Sequence, residues 1–114
     1  MQHIEHINPI LNVTDMARSL RFYVGVLGFE NAEWGNDGFT CVSRDGQSIY
    51  LCKGGQGHAG MWIWMGIEDV RSMHDHLLAN GVKIPKGLTK ESWALEMHVE
   101  DPDGHVLRMG SEPE

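Results

Sequence analysis

Aromatic and charged residues alternate with aliphatic ones along several short segments of this chain. Trp62 and Trp64 flank an isoleucine, Glu96 and His98 flank a methionine, and Arg108 follows a leucine. Side chains of a β-strand point alternately to two faces, so each of these sets would share one face of its strand. Indole rings stack on planar or cationic groups, and carboxylate, imidazole and guanidinium groups hold polar or charged ones. The pattern therefore predicts sheet faces that can bind a small molecule.

The first half of the chain carries a comparable set. Asn8 alternates with the aliphatic residues of the first predicted strand, and Tyr50 lies between Ile49 and Leu51. If the sheets of the two halves curl toward each other, these faces would meet in one cleft. A mostly aromatic cavity with a few polar groups is typical of a small-molecule site. Further aromatic residues that could form its walls are Trp34, Phe39 and Trp93.

Two plainer interpretations of the same residues remain open. Trp62 and Trp64 are equally typical of a protein core or a subunit interface. Glu96, His98 and Arg108 are also typical of a solvated sheet face with a local ion pair.

The elements that position these residues follow a repeat, in which strand, helix and three strands occur twice. We predict a first unit with strand His3–Val13, a helix from Thr14 or Asp15 to about Val26, and strands Phe29–Trp34, Phe39–Arg44 and Gln47–Lys53. The second unit is predicted as strand Met61–Ile67, helix Val70–Asn80 with Asp69 as its cap, and strands Val82–Leu88, Trp93–Glu100 and His105–Met109.

A glycine-rich segment separates the two copies. Residues 54–60 hold four glycines in seven residues and form the only credible linker. A chain of 114 residues is expected to be one domain. We therefore predict an α+β domain over residues 1–114, with one βαβββ module at about 1–53 and another at about 61–114. The modules would form curled mixed sheets around a cleft, with the helices on the outer face.

The composition excludes several classes of partner. Nine basic and sixteen acidic residues give a net charge of −7, which opposes nucleic acids and anionic membranes and mildly favours cationic ligands. No apolar run approaches the ~20 residues of a membrane span, and the first residues lack the pattern of a signal peptide. A cytoplasmic location is the default, and it fits the expectation that Cys41 and Cys52 are free thiols.

The seven histidines do not form a metal-binding pattern. His74 and His76 are two apart on the predicted helix and diverge, so they cannot chelate together. Most of the histidines at the termini, in the linker, on the helix or in a turn are expected to be exposed; these are His3, His6, His58, His74, His76 and His105.

Three segments carry a resemblance to a known family: residues 10–23 (ILNVTDMARSLRFY), residues 27–29 (LGF) and residues 100–105 (EDPDGH). The chain resembles the vicinal-oxygen-chelate superfamily, which includes glyoxalase I, extradiol dioxygenases, and fosfomycin- and bleomycin-resistance proteins. The resemblance implies paired βαβββ modules, and usually a homodimer with ligand clefts between modules or subunits.

The resemblance also implies where a metal would be held in this superfamily's enzymes. The corresponding positions here are Asn8, Tyr50, Trp62 and Arg108. An indole cannot coordinate a divalent ion and a guanidinium would repel one, so the set does not suit a metal. This argues against glyoxalase, dioxygenase and thiol-transferase chemistry, each of which depends on a Lewis-acid metal.

We therefore expect a homodimeric, metal-independent protein without a cofactor, similar to the bleomycin-resistance branch, that sequesters an aromatic, cationic drug or metabolite. Trp62 and Trp64 would stack on the ligand, with Trp34, Phe39, Tyr50 and Trp93 as walls. Glu96 would face the cation, Asn8 and His98 would supply hydrogen bonds, and Arg108 would hold Glu96 or meet an anionic group. The alternatives are an enzyme that uses His6, Glu96 and His98 as a shifted metal or acid–base set, and a protein-interaction module.

Overall fold

Each half of the chain folds into a four-stranded mixed sheet with a helix, as the repeat predicts. A computed structural model describes residues 1–114 and divides them into two units, Met1–His58 and Ala59–Glu114. The boundary lies inside the glycine-rich segment. The predicted α+β class and the order strand, helix, strand, strand, strand are confirmed in both units.

Unit 1 holds four strands and one helical segment. Helix α1 (Met16–Leu20) continues directly as a π-helix over Arg21–Val26. The sheet order is β1-β4-β3-β2, with β1 parallel to β4 and the other pairs antiparallel. The strands are β1 (Ile10–Val13), β2 (Glu30–Asn31), β3 (Phe39–Arg44) and β4 (Gln47–Lys53).

Local sequence signals explain the boundaries in unit 1. The Asp15 side chain accepts a hydrogen bond from the Arg18 amide and caps α1. The helical segment ends at Gly28, whose φ of 76° a residue with a side chain rarely adopts. Asp45 and Gly46 both have positive φ, which matches the two-residue hairpin predicted between β3 and β4.

The first nine residues differ from the prediction. The first strand begins at Ile10 rather than His3, and Ile7, which the alternation predicted to face the core, is 85% exposed. Strand β2 is likewise two residues long rather than six. The prediction of a strand over residues 3–9 is wrong because a strand needs a neighbour, and β4 pairs only with residues 10–13.

The outer edge of β1 lies against the glycine-rich segment. The Asn12 side-chain amide donates to the Gln56 carbonyl oxygen at 3.1 Å. Gly57 has a φ of 78°, and a Cβ there would lie 2.9 Å from the Asn12 amide nitrogen and the Ile10 carbonyl oxygen. Residues 56 and 57 are therefore held against β1, and only a glycine fits at position 57.

Unit 2 repeats the architecture of unit 1. The sheet order is β5-β8-β7-β6, with β5 parallel to β8 and a register shift between β6 and β7. The one helix is α2 (Val70–Ala79), which contacts β8. The strands are β5 (Trp62–Gly66), β6 (Lys86–Lys90), β7 (Leu95–Glu100) and β8 (Val106–Ser111).

The ends of α2 fix where the next strand can start. Asp69 caps the helix, as predicted, by accepting from the Ser72 amide. At the other end Gly81 has a φ of 68° and the Val82 amide donates to the Leu77 carbonyl oxygen. Val82 thus belongs to the helix cap and not to a strand as predicted, and β6 starts at Lys86.

Buried aliphatic residues form the core of each unit. In unit 2 the buried side of the sheet carries Met97, Val99, Leu107 and Met109, and α2 contributes Leu77. In unit 1 the corresponding set includes Leu11, Val13, Val42, Leu51 and Tyr23. Cys41 and Cys52 are buried free thiols on the adjacent strands β3 and β4, as predicted. Neither helical segment is long and apolar enough to cross a membrane.

Candidate functional site

The opposite side of the unit 2 sheet carries the residues that the alternation pattern singled out. Strand register places Trp64 beside Arg108 and Arg108 beside His98, and it places Glu96 beside Gly110 on the same side. Trp62 lies two residues before Trp64 on β5. We call this surface the tryptophan face, defined by Trp62, Trp64, Glu96, His98 and Arg108.

Glu96 is the centre of a hydrogen-bond network on the tryptophan face. Arg108 binds it with two donors, Nε to Oε2 at 2.6 Å and Nη2 to Oε1 at 3.0 Å. The Trp93 indole Nε1 donates to Oε1 at 2.5 Å from the loop before β7. Glu96 is 0% exposed, whereas the Arg108 side chain is 38% exposed. The carboxylate is therefore buried beneath its own donors.

These contacts set the charge state of Glu96. The hydrogen bonds from Arg108 outweigh the opposing effect of burial, and with the Trp93 hydrogen bond they lower the pKa of Glu96 to about 2. The same pair raises the pKa of Arg108. At neutral pH the face therefore holds an ion pair between the buried Glu96 carboxylate and the partly exposed Arg108 guanidinium. A carboxyl group with this pKa is a poor proton acceptor and cannot act as an acid.

The Trp64 ring lies close to the neighbouring strand β8. The guanidinium carbon of Arg108 lies 5.4 Å from the centroid of the Trp64 ring, within the range of a cation–π contact. A Cβ on Gly110 would lie 2.6 Å from Cη2 of Trp64, so only a glycine allows the indole this close to β8. Trp64 nevertheless remains 51% exposed. The ring is thus positioned by its neighbours and still presents a surface to solvent.

Trp62 is positioned by His98. The two rings meet edge to face, with centroids 5.1 Å apart and an interplanar angle of 82°. Nε2 of His98 lies 3.7 Å from Oε2 of Glu96, which links this pair to the network. Trp62 is 59% exposed. The two tryptophans of β5 therefore have different supports on one continuous network.

Two residues that support the tryptophan face, His105 and Gly110, were not predicted from the sequence to do so. His105 was expected to be exposed, but it is fully buried, and its Nδ1 accepts the Met61 amide at 3.0 Å, at the start of β5. Gly110 was not singled out at all. The sequence does carry a signal for Gly110, since a glycine in a strand often marks a place where a group from a neighbouring strand approaches closely.

Unit 1 carries a different aromatic surface, which we call the ring stack. Trp34 and Phe39 have centroids 6.1 Å apart at an interplanar angle of 24°, and Phe39 and Tyr50 are 5.5 Å apart at 27°. Trp34 is the exposed end of this near-parallel series. Aromatic pairs are favourable at these separations. The ring stack contains no charged side chain.

Asn8 and His6 lie in the segment before β1. Asn8 Nδ2 donates to the Ser48 carbonyl oxygen at 3.0 Å, and Asn8 Oδ1 lies 2.6 Å from Nδ1 of exposed His6. The hydroxyl groups of Ser43 and Ser48 are 2.8 Å apart on the adjacent strands. The predicted residues thus fall on two surfaces, Asn8, Trp34, Phe39 and Tyr50 on unit 1 and the other six on unit 2.

Comparison of the whole sequence with protein families identifies its relatives. Residues 3–109 match the model of the Glyoxalase/Bleomycin resistance protein/Dioxygenase superfamily. The chain belongs to this superfamily. The resemblance seen in the three sequence segments is therefore confirmed over nearly the full length. None of the curated proteins compared with the chain matches it.

Several solved structures of the same fold are similar to the chain. TnmS3, an antibiotic binding protein from Streptomyces sp. CB03234, has a TM-score of 0.85 at 21% identity, with 98% of this chain and 99% of that chain covered. TioX from Micromonospora sp. ML1 has a TM-score of 0.83 at 21% identity, covering 95% and 98%. A protein from the mobile metagenome of V. pseudocholerae has a TM-score of 0.82 at 20% identity, covering 100% and 99%. At these identities the likeness establishes the fold.

The positions that hold a metal in the superfamily's enzymes, as the resemblance implies, do not suit one here. Arg108 brings a guanidinium bound to Glu96, Trp62 an indole, and Asn8 an amide that donates to the backbone. Tyr50 lies within the ring stack. Neither unit brings three or more His, Cys, Asp or Glu side chains together in a metal-binding arrangement. The donor set therefore disagrees with that of the superfamily's metalloenzymes.

Proposed function

We propose that this protein binds and sequesters a planar aromatic small molecule, such as an antibiotic or a metabolite, without a metal and without altering it chemically. The observation that carries this proposal is the tryptophan face, where two indole rings are fixed in place and remain more than half exposed. Membership of a superfamily that includes bleomycin-resistance proteins supports it, as does the structural similarity to an antibiotic binding protein.

The support beneath Trp62 and Trp64 favours binding over a merely solvated surface. Exposed tryptophans that are free to rotate would lose side-chain entropy when a ligand stacks on them. Here His98 packs against Trp62, while Arg108 and Gly110 define the position of Trp64. Two rings that are already ordered bind a planar ligand with a smaller entropic cost.

The ring stack is proposed as a second contact surface, with Asn8 as its hydrogen-bonding group. Trp34 presents an exposed ring at its end, and Phe39 and Tyr50 continue the series. A near-parallel stack extends naturally to one more planar ring. A cationic ligand, which the net charge of −7 favours through long-range steering, stays a prediction from composition.

The structure does not favour an enzyme that uses His6, Glu96 and His98. Both oxygens of Glu96 already accept hydrogen bonds, and its pKa of about 2 leaves no proton to donate at neutral pH. An acid–base role would need a pKa near the working pH. Glu96 instead serves as the anchor that orients Arg108 and Trp93.

We also propose that the protein is a symmetric dimer. Several large apolar side chains outside the tryptophan face are exposed, including Ile4, Ile7 and Val24. Exposed apolar surface of this kind commonly marks an interaction site, and most soluble oligomers are closed and symmetric. Analytical ultracentrifugation at micromolar concentration gives the mass directly, and a monomer there would contradict the proposal.

The decisive experiment is a fluorescence titration with bleomycin-type drugs and a panel of other planar antibiotics. Stacking on either ring should quench indole fluorescence. We expect Trp62→Ala and Trp64→Ala to weaken binding by about 1–3 kcal/mol each. The matched control is Leu78→Ala, which removes an exposed apolar side chain from α2 and should leave binding unchanged.

Two results would reject the proposal. One is that no compound of the panel binds more tightly than about millimolar, and the other is that both tryptophan variants bind as well as the parent protein. Metal analysis of protein purified without a histidine tag completes the test. A stoichiometric metal that survives dialysis would contradict the proposed metal independence.

A further inference from the structure

The carboxylate on the tryptophan face is not available to a ligand. Glu96 is 0% exposed, and its oxygens receive two hydrogen bonds from Arg108 and one from Trp93. A cation approaching this surface would meet the guanidinium and the indole N–H first. The local reason for expecting a cationic ligand therefore disappears once the partners of Glu96 are known.

The neighbouring carboxylates are also paired. Glu91 lies 3.6 Å from Nζ of Lys86, and Glu100 lies 3.4 Å from Nζ of Lys83. Together with Glu96 they are the acidic residues of β7 and of the loop before it. Each of the three carboxylates thus already has a cationic neighbour, which weakens its attraction for a cationic ligand.

Arg108, by contrast, has N–H donors that are not used in hydrogen bonds within the protein. A guanidinium has five N–H groups in a planar fork. Nε and Nη2 bind Glu96, whereas Nη1 makes no hydrogen bond within the protein. The side chain is 38% exposed, and the guanidinium carbon lies 5.4 Å from the centroid of Trp64. The unused donors therefore lie beside the indole on which a ligand would stack.

We infer that the tryptophan face selects a planar aromatic compound with an oxygen acceptor at its edge, a carboxylate or phenolate before a neutral carbonyl, and that Nη1 of Arg108 binds this oxygen. This inference rests on the proposed function and replaces the cationic ligand class that composition favours. The hydrogen bonds from Arg108 to Glu96 fix the orientation of the guanidinium, and the aromatic ring of the ligand stacks on Trp64. A fixed guanidinium is well suited to this task because its fork matches carboxylate geometry.

The test uses three probes that share one ring and differ only at its edge: 2-naphthoate, 2-naphthamide and 2-naphthylmethylammonium. Each is titrated into the protein of residues 1–114 by isothermal titration calorimetry, since the naphthyl ring absorbs and emits in the same range as indole. We expect 2-naphthoate to bind at least about tenfold more tightly than the ammonium probe, with the amide between them. The preference should weaken as salt is added, because part of it is electrostatic.

A double variant isolates the role of the ion pair. Glu96→Gln with Arg108→Gln removes both charges and keeps the net charge of the protein. We expect 2-naphthoate then to bind no better than the amide. The matched control is Lys83→Gln with Glu100→Gln, which neutralises a neighbouring pair in the same way and should leave the order of the three probes unchanged.

Each outcome decides the inference. Tighter binding of the ammonium probe overturns it, and so does a carboxylate preference that survives in the Glu96/Arg108 double variant. If that variant does not fold, the order of the three probes in the parent protein decides alone. Failure of all three probes also overturns the inference, but the proposed function falls only if the antibiotic panel fails as well.

Discussion

The two units share one topology but present different chemistry on their exposed sheet faces. In unit 1 three rings lie nearly parallel, with interplanar angles of 24° and 27°, and no charge is involved. In unit 2 two tryptophans lie beside an ion pair whose carboxylate is buried, and Trp62 meets its neighbour His98 at 82°. Tyr50 of the central strand β4 and Arg108 of the central strand β8 each lie between a parallel and an antiparallel neighbour.

The difference shows that the two copies of one fold can order their exposed surfaces in different ways. The ring stack gains its order from contacts between aromatic surfaces, which are sequence-tolerant and lack polarity. The tryptophan face gains its order from directional hydrogen bonds to one carboxylate, so its geometry depends on few residues. We therefore expect single substitutions to affect unit 2 more strongly than unit 1.

The largest effect is expected for Glu96→Gln. The amide offers one acceptor oxygen where the carboxylate offers two, so an N–H of Arg108 would face an NH2 group. We expect the free energy of unfolding to fall by about 1.5–3 kcal/mol, the usual worth of a hydrogen bond to a charged group. Urea denaturation measures this. Glu100→Gln, which loses a partly exposed ion pair on the same strand, should cost under about 1 kcal/mol. Equal losses in the two variants would contradict the anchoring role of Glu96.

The stability difference between the parent protein and Glu96→Gln is expected to depend on pH. The pKa of Glu96 is lowered from 4.5 to about 2 in the folded protein, so its stabilising contribution is complete above the unfolded value. It is lost as the pH falls from about 4.5 toward 2, because the unfolded chain then binds the proton more readily. The stability difference between the parent protein and Glu96→Gln should therefore narrow on acidification. A constant difference between neutral pH and about 3 would show that the contribution does not depend on the charge.

A smaller effect is expected for Gly110→Ala. The new methyl group would overlap the Trp64 ring, so the indole must move off β8 at a cost of about 1–2 kcal/mol. Binding of planar ligands should weaken, and the indole emission should shift. Gly66→Ala is the matched control, because its Cβ would lie at an ordinary 3.9 Å from Nε1 of Trp64. If both variants behave alike, the close approach at Gly110 does not position the ring.

The smallest effects compare one tryptophan from each unit. Trp34 and Trp93 are 59% and 58% exposed, but only Trp93 donates its indole N–H to a buried carboxylate. Replacing Trp93 with Phe should cost about 1 kcal/mol of stability, whereas Trp34→Phe keeps the stacking and should cost under about 0.5 kcal/mol. Differential scanning calorimetry of the two variants gives the comparison. A larger loss of stability for Trp34→Phe than for Trp93→Phe would contradict the view that the hydrogen bond of Trp93 matters more to stability than the stacking of Trp34.

The sequence predicted those parts of the fold that depend on local chemistry. The bounds of β3 and β4 were correct because Asp45-Gly46 specifies a tight hairpin and the strands on both sides are well patterned. Asp69 was correctly predicted as the cap of α2. The predictions for residues 3–9 and Val82 were wrong, because β4 pairs only with residues 10–13 and Val82 belongs to the helix cap.

The sequence predicted which residues share a face but not how they interact. Alternation placed Glu96, His98 and Arg108 together, and the suggestion that Arg108 holds Glu96 agrees with the hydrogen bonds. The sequence wrongly predicted Trp93 as the first residue of a strand, whereas Trp93 lies in the loop before β7 and donates its indole N–H to Glu96. Loop side chains follow no period, so this contact could not be predicted. His105 escaped for a similar reason, since burial of a turn residue depends on a contact with the distant Met61.

The glycine-rich segment beside β1 has a consequence for aggregation through the edge of this sheet. An edge strand is a template on which another chain can add a strand, and this route leads to aggregation. Residues 56 and 57 lie against that edge of β1, with Asn12 bonded to the Gln56 carbonyl. A side chain at position 57 would push the segment away and uncover the backbone groups of Ile10 and Asn12. Gly57, in the linker between the two repeats, thus allows residues 56 and 57 to cover the open edge of β1.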